Sequence, residues 1–248
     1  MRHINRRILL KGGILAAASV LLPEIAKGRS IPPQGAKLII NAGVGGQNTV
    51  DLLQRIDRDC LQHQPNLTLM MVGTNDMNSV KYVTLGQYEK NLDELARKAM
   101  QHGGKLVMMT ILPAYEPHLL TRHPAAFYEP EGVAGRRRQV NKVIKMVAIK
   151  RKAHLLDLER LFLAIGKIGT DKDSLLQNVA NANKTDGIHP TTNGYRLMAL
   201  AIYDYLLAHQ LAKGTIVCFG DSITKGDGSM DGDSYPAYLN KLLTYEHD

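Results

Sequence analysis

The chain has 248 residues, 44% hydrophobic and 22% charged, with a formal net charge of +8. That length suits a single α/β domain with a full core, and the balance of apolar and charged residues excludes a natively unfolded chain. No apolar run is long enough to span a bilayer, and the mild positive charge lacks the aromatic interleaving of a nucleic-acid surface. Neither a stable membrane span nor a nucleic-acid partner is expected.

Residues 1–28 differ from the rest. Arg6-Arg7 leads into Ile8-Leu9-Leu10-Lys11, then an apolar run from Gly12 to Leu22, then Pro23 and the small residues Ala26 and Gly28. A basic head, an apolar middle and a small-residue exit are the parts of an export signal, and the string resembles a bacterial twin-arginine leader. The expectation is an exported protein, periplasmic or secreted, with one domain over residues 29–248. The competing reading, an N-terminal helix packed on the domain, lacks the polar positions that would give it an amphipathic face. The leader also carries about half of the net charge, through Arg2, Arg6, Arg7, Lys11 and Lys27 against Glu24.

From Lys37 onward short apolar runs alternate with longer amphipathic ones. Strands are expected at 37–41, 67–72, 105–112, 153–158 and 215–219, and helices from 49, over 85–100, 135–152, 191–211 and near 235–245. Residues 113–133 hold five prolines or glycines and three aromatics without a period, and read as a long loop. Arg136-Arg137-Arg138 reads as a solvated helix face. Strands spaced by helices imply βαβ crossovers and a parallel sheet covered on both faces. Chemistry in such a sheet gathers at the carboxyl ends of the strands.

Four motifs fall at such ends or in loops: Asn41-Ala-Gly-Val-Gly-Gly46, Gly73-Thr-Asn-Asp76, Asp186-Gly-Ile-His-Pro190 and Gly220-Asp-Ser-Ile-Thr224. Each alone has a plain alternative as a turn or a helix cap. Together they supply a hydroxyl nucleophile (Ser222), a base (His189), a carboxylate three residues before it (Asp186), and donors for an oxyanion. Asp76 and Asp221 read as turn residues beside the chemistry. His118, His123, Tyr115, Phe127 and Tyr128, in the long loop, are either pocket lining or bystanders. Asp227 to Asp233 hints at a calcium loop, but Tyr238 stands where the bidentate glutamate belongs, so a flexible loop is the better reading. The two cysteines, Cys60 and Cys218, lie in apolar stretches and read as buried free thiols; no Cys/His spacing suits a metal.

The set of motifs resembles the SGNH hydrolases, also called the GDSL lipase/esterase family, over nearly all of residues 37–248. The resemblance implies a flavodoxin-like three-layer α/β/α fold with a five-stranded parallel sheet. It further implies a serine esterase of small acyl esters, carbohydrate O-acetyl groups among them, that needs no metal or other cofactor. Carried over by motif, Ser222 is the nucleophile, Asp186 and His189 complete the triad, and Gly46, Asn75 and the Ser222 N–H form the oxyanion hole, with Gly45 as the fallback for Gly46. A lipase or thioesterase, or a binding protein that keeps the fold without turnover, is the alternative. The serine motif comes last here where the family has it first, which implies a circular permutation with Ala212 to Gly214 as the joining loop. Exchange of the C-terminal strand–helix unit with a neighbouring chain and membership in a tandem protein are the rival arrangements.

Overall fold

The computed structural model describes residues 38–245; the leader reading falls outside them. Five strands form one parallel sheet: β1 (Leu38–Gly43), β2 (Leu67–Met71), β3 (Lys105–Met109), β4 (His154–Leu156) and β5 (Thr215–Gly220). Their order is β1-β5-β2-β3-β4, all neighbours parallel. Counted from β5 as the first strand, this is the order 2-1-3-4-5 of flavodoxin-like doubly wound sheets. The last strand of the chain therefore lies inside the sheet, paired on both sides with strands of its own chain.

The described helices are α1 (Thr49–Asp59), α2 (Leu85–Ala99), α3 (Glu116–Leu119), α4 (Gly132–Arg151), α5 (Leu158–Ile165), α6 (Val179–Ala182), α7 (Thr192–Ala208), α8 (Ser222–Lys225) and α9 (Tyr235–Thr244). Their starts are set by side-chain caps: Asn48 with Asp51 for α1, Asp157 for α5, Thr191 for α7 and Ser234 for α9. Successive strand residues go to opposite layers, as the pleat requires. Met70, Leu106, Met108, Val217 and Phe219 pack with residues of α1, α2 and α4. Leu67, Leu69, Met71, Val107, Ile216 and Cys218 pack with residues of α5, α7 and α9. Both faces of the central strands are thus covered, and Cys60 and Cys218 are buried free thiols.

Register places the motifs. Gly220 at the end of β5 is level with Gly43 of β1 on one side and Met71 of β2 on the other. The glycine loop, the asparagine turn and the serine turn therefore leave the sheet side by side, from the same edge.

Two expectations need correction. Arg136-Arg137-Arg138 is not a solvated face. Arg137 is buried and paired with Glu159 at 2.7 Å, and Arg136 binds Glu131 at 2.8 Å while its guanidinium lies 4.6 Å from the Phe127 ring centroid. Only Arg138 is exposed. The second correction concerns 113–133, which is partly ordered into α3 and a 3₁₀ turn at Ala125–Tyr128. Its proline spacing hid helices of a single turn, which periodicity cannot resolve.

Candidate active site

Ser222 is the first residue of α8, immediately after β5. It does not cap that helix: Asp221 does, its carboxylate accepting the Ile223 N–H at 2.9 Å. The Ser222 hydroxyl is left for another partner, and His189 Nε2 lies 2.9 Å from Ser222 Oγ. Close packing holds the turn down on the sheet. A Cβ on Gly43 would come within 2.2 Å of the Lys225 nitrogen, so only glycine lets β1 and α8 approach. Asn41 fastens the same contact by donating its amide to the Lys225 carbonyl at 3.1 Å.

Asp186 and His189 form a closed local unit. Asp186 Oδ1 accepts the backbone N–H of Ile188 at 2.9 Å and of His189 at 2.8 Å. The same carboxylate meets His189 Nδ1, at 2.9 Å from Oδ2 and 3.0 Å from Oδ1. Burial pushes the Asp186 carboxyl up, but the hydrogen bond and charge of His189, with the two backbone donors, outweigh it and hold it at about 2. An ionised Asp186 accepts a hydrogen bond from the Nδ1–H of His189, and that tautomer leaves Nε2 as the acceptor for the Ser222 hydroxyl. The unit is clamped from the loop after β3: Arg122 Nη2 donates to the Asp186 carbonyl at 2.7 Å and the Tyr115 N–H to the Gly187 carbonyl at 2.8 Å. From its other side the Gln177 N–H donates to the His189 carbonyl at 2.8 Å.

The glycine loop passes beside the serine. A Cβ on Gly45 would stand 4.0 Å from Ser222 Cβ, while Gly46, at φ +72°, has nothing within 4 Å of that position. The loop is tied to β5 through the Val44 N–H, which donates to the Gly220 carbonyl at 3.1 Å. Asn75, in the turn after β2, donates one amide hydrogen to the Gln47 carbonyl at 2.8 Å and keeps a second. Its neighbour Asp76 is buried and accepts both the N–H and the hydroxyl of Thr49 at the start of α1. Burial drives Asp76 up to about 6 against those bonds. Burial likewise drives Asp221 up to about 7, against the Ile223 N–H and the charge of His189.

Several residues in this architecture escape a reading of motifs. Arg55, Gln47 and Arg122 carry no motif, yet all three bond to the backbone or side chains of motif loops. Arg55 left a trace: it shares the inward face of α1 with Leu52 and Ile56, at helical spacing, where a charge is out of place. The loop aromatics and histidines contact neighbouring side chains. Tyr128 is buried and donates to Asn78 at 2.6 Å, His123 Nδ1 meets Ser79 Oγ at 2.8 Å, and His118 packs edge-on against Tyr115. Asp227 and Asp233 serve turns and helix ends: Asp227 accepts the Asp233 N–H at 2.7 Å, and Asp233 accepts from Tyr238 at 2.7 Å. A cavity of about 640 Å³ opens at the amino ends of β2, β3 and β5, near Asn66, Lys105 and Lys213, the end of the sheet opposite Ser222. Its lining includes no serine and no carboxylate.

A doubly wound parallel sheet with a hydroxyl, an imidazole and a carboxylate in series at its carboxyl edge defines a hydrolase of the acyl-transfer class. The comparisons agree. The family model of the GDSL-like lipase/acylhydrolase family matches residues 18–197, and the chain belongs to that family. The matched stretch ends before β5. The chain is 30% identical over 178 residues to the uncharacterized lipoprotein YqeF of Bacillus subtilis (strain 168), covering 67% of this chain and 72% of that protein. It is 27% identical over 171 residues to platelet-activating factor acetylhydrolase IB subunit alpha1 of Rattus norvegicus, covering 68% of this chain and 63% of that subunit. Among solved structures, an acetyl xylan esterase, AlAXEase, shares the fold with a TM-score of 0.53 at 21% identity, covering 66% of this chain and 79% of that one. The protein is a GDSL-type hydrolase.

Proposed function

We propose that Ser222, His189 and Asp186 are a catalytic triad and that the protein cleaves short acyl esters, acetyl groups on carbohydrate in particular, through an acyl-enzyme. The carrying observation is the unbroken chain of contacts, 2.9 Å from Ser222 Oγ to His189 Nε2 and 2.9 Å from His189 Nδ1 to Asp186. Ser222 Oγ attacks the ester carbonyl carbon as His189 Nε2 takes its proton, and the carbonyl electrons move to oxygen. The oxyanion is received by the N–H groups of Ser222 and Gly46 and by the free amide hydrogen of Asn75; losing one such donor costs about 10²–10³ in turnover. Collapse expels the alcohol, protonated by His189. Water, activated by the same imidazole, then attacks the acyl-enzyme and releases the acid.

The preference for acetyl esters is supported by the names of two similar proteins, an acetylhydrolase and an acetyl xylan esterase. Export is supported by the leader sequence and by the lipoprotein named among the relatives. A single domain over residues 29–248, built as a circular permutation, is supported by the strand order counted from β5 and by a family match that stops short of that strand.

The test is hydrolysis of p-nitrophenyl acetate by the wild type and by Ser222→Ala. The substitution is expected to bring the rate to background, and equal rates would refute the triad. A series of p-nitrophenyl esters from acetyl to decanoyl, with acetate release from acetylated xylooligosaccharides, then fixes the substrate. Rates that rise with chain length would overturn the acetyl assignment.

A further inference from the structure

Arg55 is 3% exposed, on the inward face of α1. Its guanidinium plate lies 4.4 Å from the centroid of the Phe219 ring, and Asp59, 3.3 Å from Nη1, balances its charge. A buried cation that merely fastened a helix to a sheet would need no more. Three further N–H groups reach elsewhere. Nη2 donates to the Gly220 carbonyl at 2.8 Å, two residues before Ser222. Nη1 donates to the Ala42 carbonyl at 2.8 Å, where the glycine loop springs from β1. Nε donates to the side-chain oxygen of Gln47, where that loop ends.

Each end point belongs to a different part of the site. The Gly220 carbonyl also accepts the Val44 N–H, so the serine strand and the glycine loop share one acceptor with Arg55. Gln47, held by Arg55 through its side chain, presents its backbone carbonyl to Asn75 Nδ2 at 2.8 Å. One rigid fork thus spans the end of the strand that leads into Ser222, both ends of the loop that carries Gly46, and, one bond further, Asn75. A planar guanidinium with fixed donor directions can do this, whereas an ammonium cannot.

We propose that Arg55 is a positioning residue that sets the spacing between Ser222 and the other two oxyanion donors, Gly46 and Asn75. The inference rests on the triad and oxyanion reading given above. Its signature follows from the chemistry. The oxyanion exists only after attack, so loosening its donors lowers kcat and leaves ground-state binding alone. None of the Arg55 partners belongs to the Asp186–His189 loop, so the pH at which the rate reaches half its plateau stays where it is in the wild type.

The experiment measures kcat, KM, the pH–rate profile and the thermal midpoint of the full chain with p-nitrophenyl acetate, for the wild type, Arg55→Lys, Gln47→Leu and Ser222→Ala. Arg55→Lys keeps the charge but cannot reach three acceptors; a displacement of about 1 Å at the site is expected to lower its kcat ~10²-fold, with KM within ~3-fold and the pH midpoint unmoved. Gln47→Leu, at a half-buried loop position, removes the link to Nε alone and is expected to lower kcat by ~10-fold in the same pattern. A folded Arg55→Lys with kcat within ~2-fold of the wild type overturns the inference, as does a loss that appears in KM or moves the pH midpoint. If Arg55→Lys does not fold, Gln47→Leu decides alone, and a kcat within ~2-fold of the wild type overturns the proposal. Ser222→Ala separates the two levels: full activity there removes the triad reading and this inference together, whereas an inactive Ser222→Ala beside a fully active Arg55→Lys removes only the role of Arg55.

Discussion

Asp186 performs three tasks with one carboxylate: it closes the turn to Ile188, anchors the His189 backbone and faces the His189 ring. This economy depends on Gly187, which sits at φ +72° with Tyr115 and His118 directly against it; a Cβ there would lie 2.8 Å from both His118 Cβ and the Tyr115 carbonyl. Gly187→Ala is therefore expected to cost about 1–3 kcal/mol of stability through backbone strain. By displacing the imidazole it should also lower kcat by about 10²-fold. A thermal melt and an ester-hydrolysis rate on the same preparation check both effects, and an unchanged rate would show that the loop relaxes without moving the ring. At this scale the sequence was readable wherever chemistry needs particular residue types at short spacing. Asp186 and His189 stand three apart and find each other within one turn of chain. Arg55 and Gln47 were not readable as site residues, because their role lies in contacts to backbone carbonyls far along the chain, which no local pattern encodes.

Two buried carboxylates do the work of element ends: Asp76 receives the first N–H of α1, and Asp221 caps α8. Burial raises them to about 6 and about 7, so each favours its protonated form in the folded state relative to an unfolded aspartate near 3.9. The sign of the linkage follows. Their contribution to stability is fully present below about pH 4 and is lost as pH rises through about 6 for Asp76 and about 7 for Asp221. Asp186 has the opposite sign, since its depressed value gives a contribution present above about pH 4 and lost as pH falls toward about 2. Asp221→Asn keeps the capping oxygen and removes the titration, and is expected to flatten the fall of the thermal midpoint between about pH 4 and 7. Melts of wild type and variant across that range, subtracted pH by pH, isolate the term, and parallel curves would refute it. The elements that carry these groups were legible from caps and periodicity. What was not legible was that Asp221, not Ser222, caps α8: both types cap helices, and the choice is made by which side chain the strand end turns inward.

At the scale of the whole molecule, the strand order of the sheet says which contacts matter and the chain order says how late they form. Thr215 of β5 pairs with Leu38 of β1 and its neighbour Ile216 with Leu67 of β2, so this interior strand joins partners made far earlier in the chain. The alternation of apolar runs and amphipathic stretches was enough to read a parallel sheet, and the motif order was enough to suspect a rearranged one. The position of β5 between β1 and β2 was not in the pattern, because a buried run looks alike at any place in a sheet. A chain rebuilt to run from Ala212 through Tyr245, then through a short flexible linker into Leu38 to Leu211, keeps every contact of the site. It needs only a bridge from α9 to β1, elements that already pack together. Its activity on p-nitrophenyl acetate is expected to stay within about 3-fold of the parent, since the transition-state contacts are unchanged. Its refolding is expected to be faster, because β5 would then meet β1 and β2 across much shorter stretches of chain, and each halving of a closing loop saves about 0.6 kcal/mol of entropy. Stopped-flow refolding of both chains, alongside their ester hydrolysis, tests this. A rearranged chain that folds but does not turn over would show that the site depends on the native connection into β1, and equal refolding rates would show that β5 docks after the rate-limiting step.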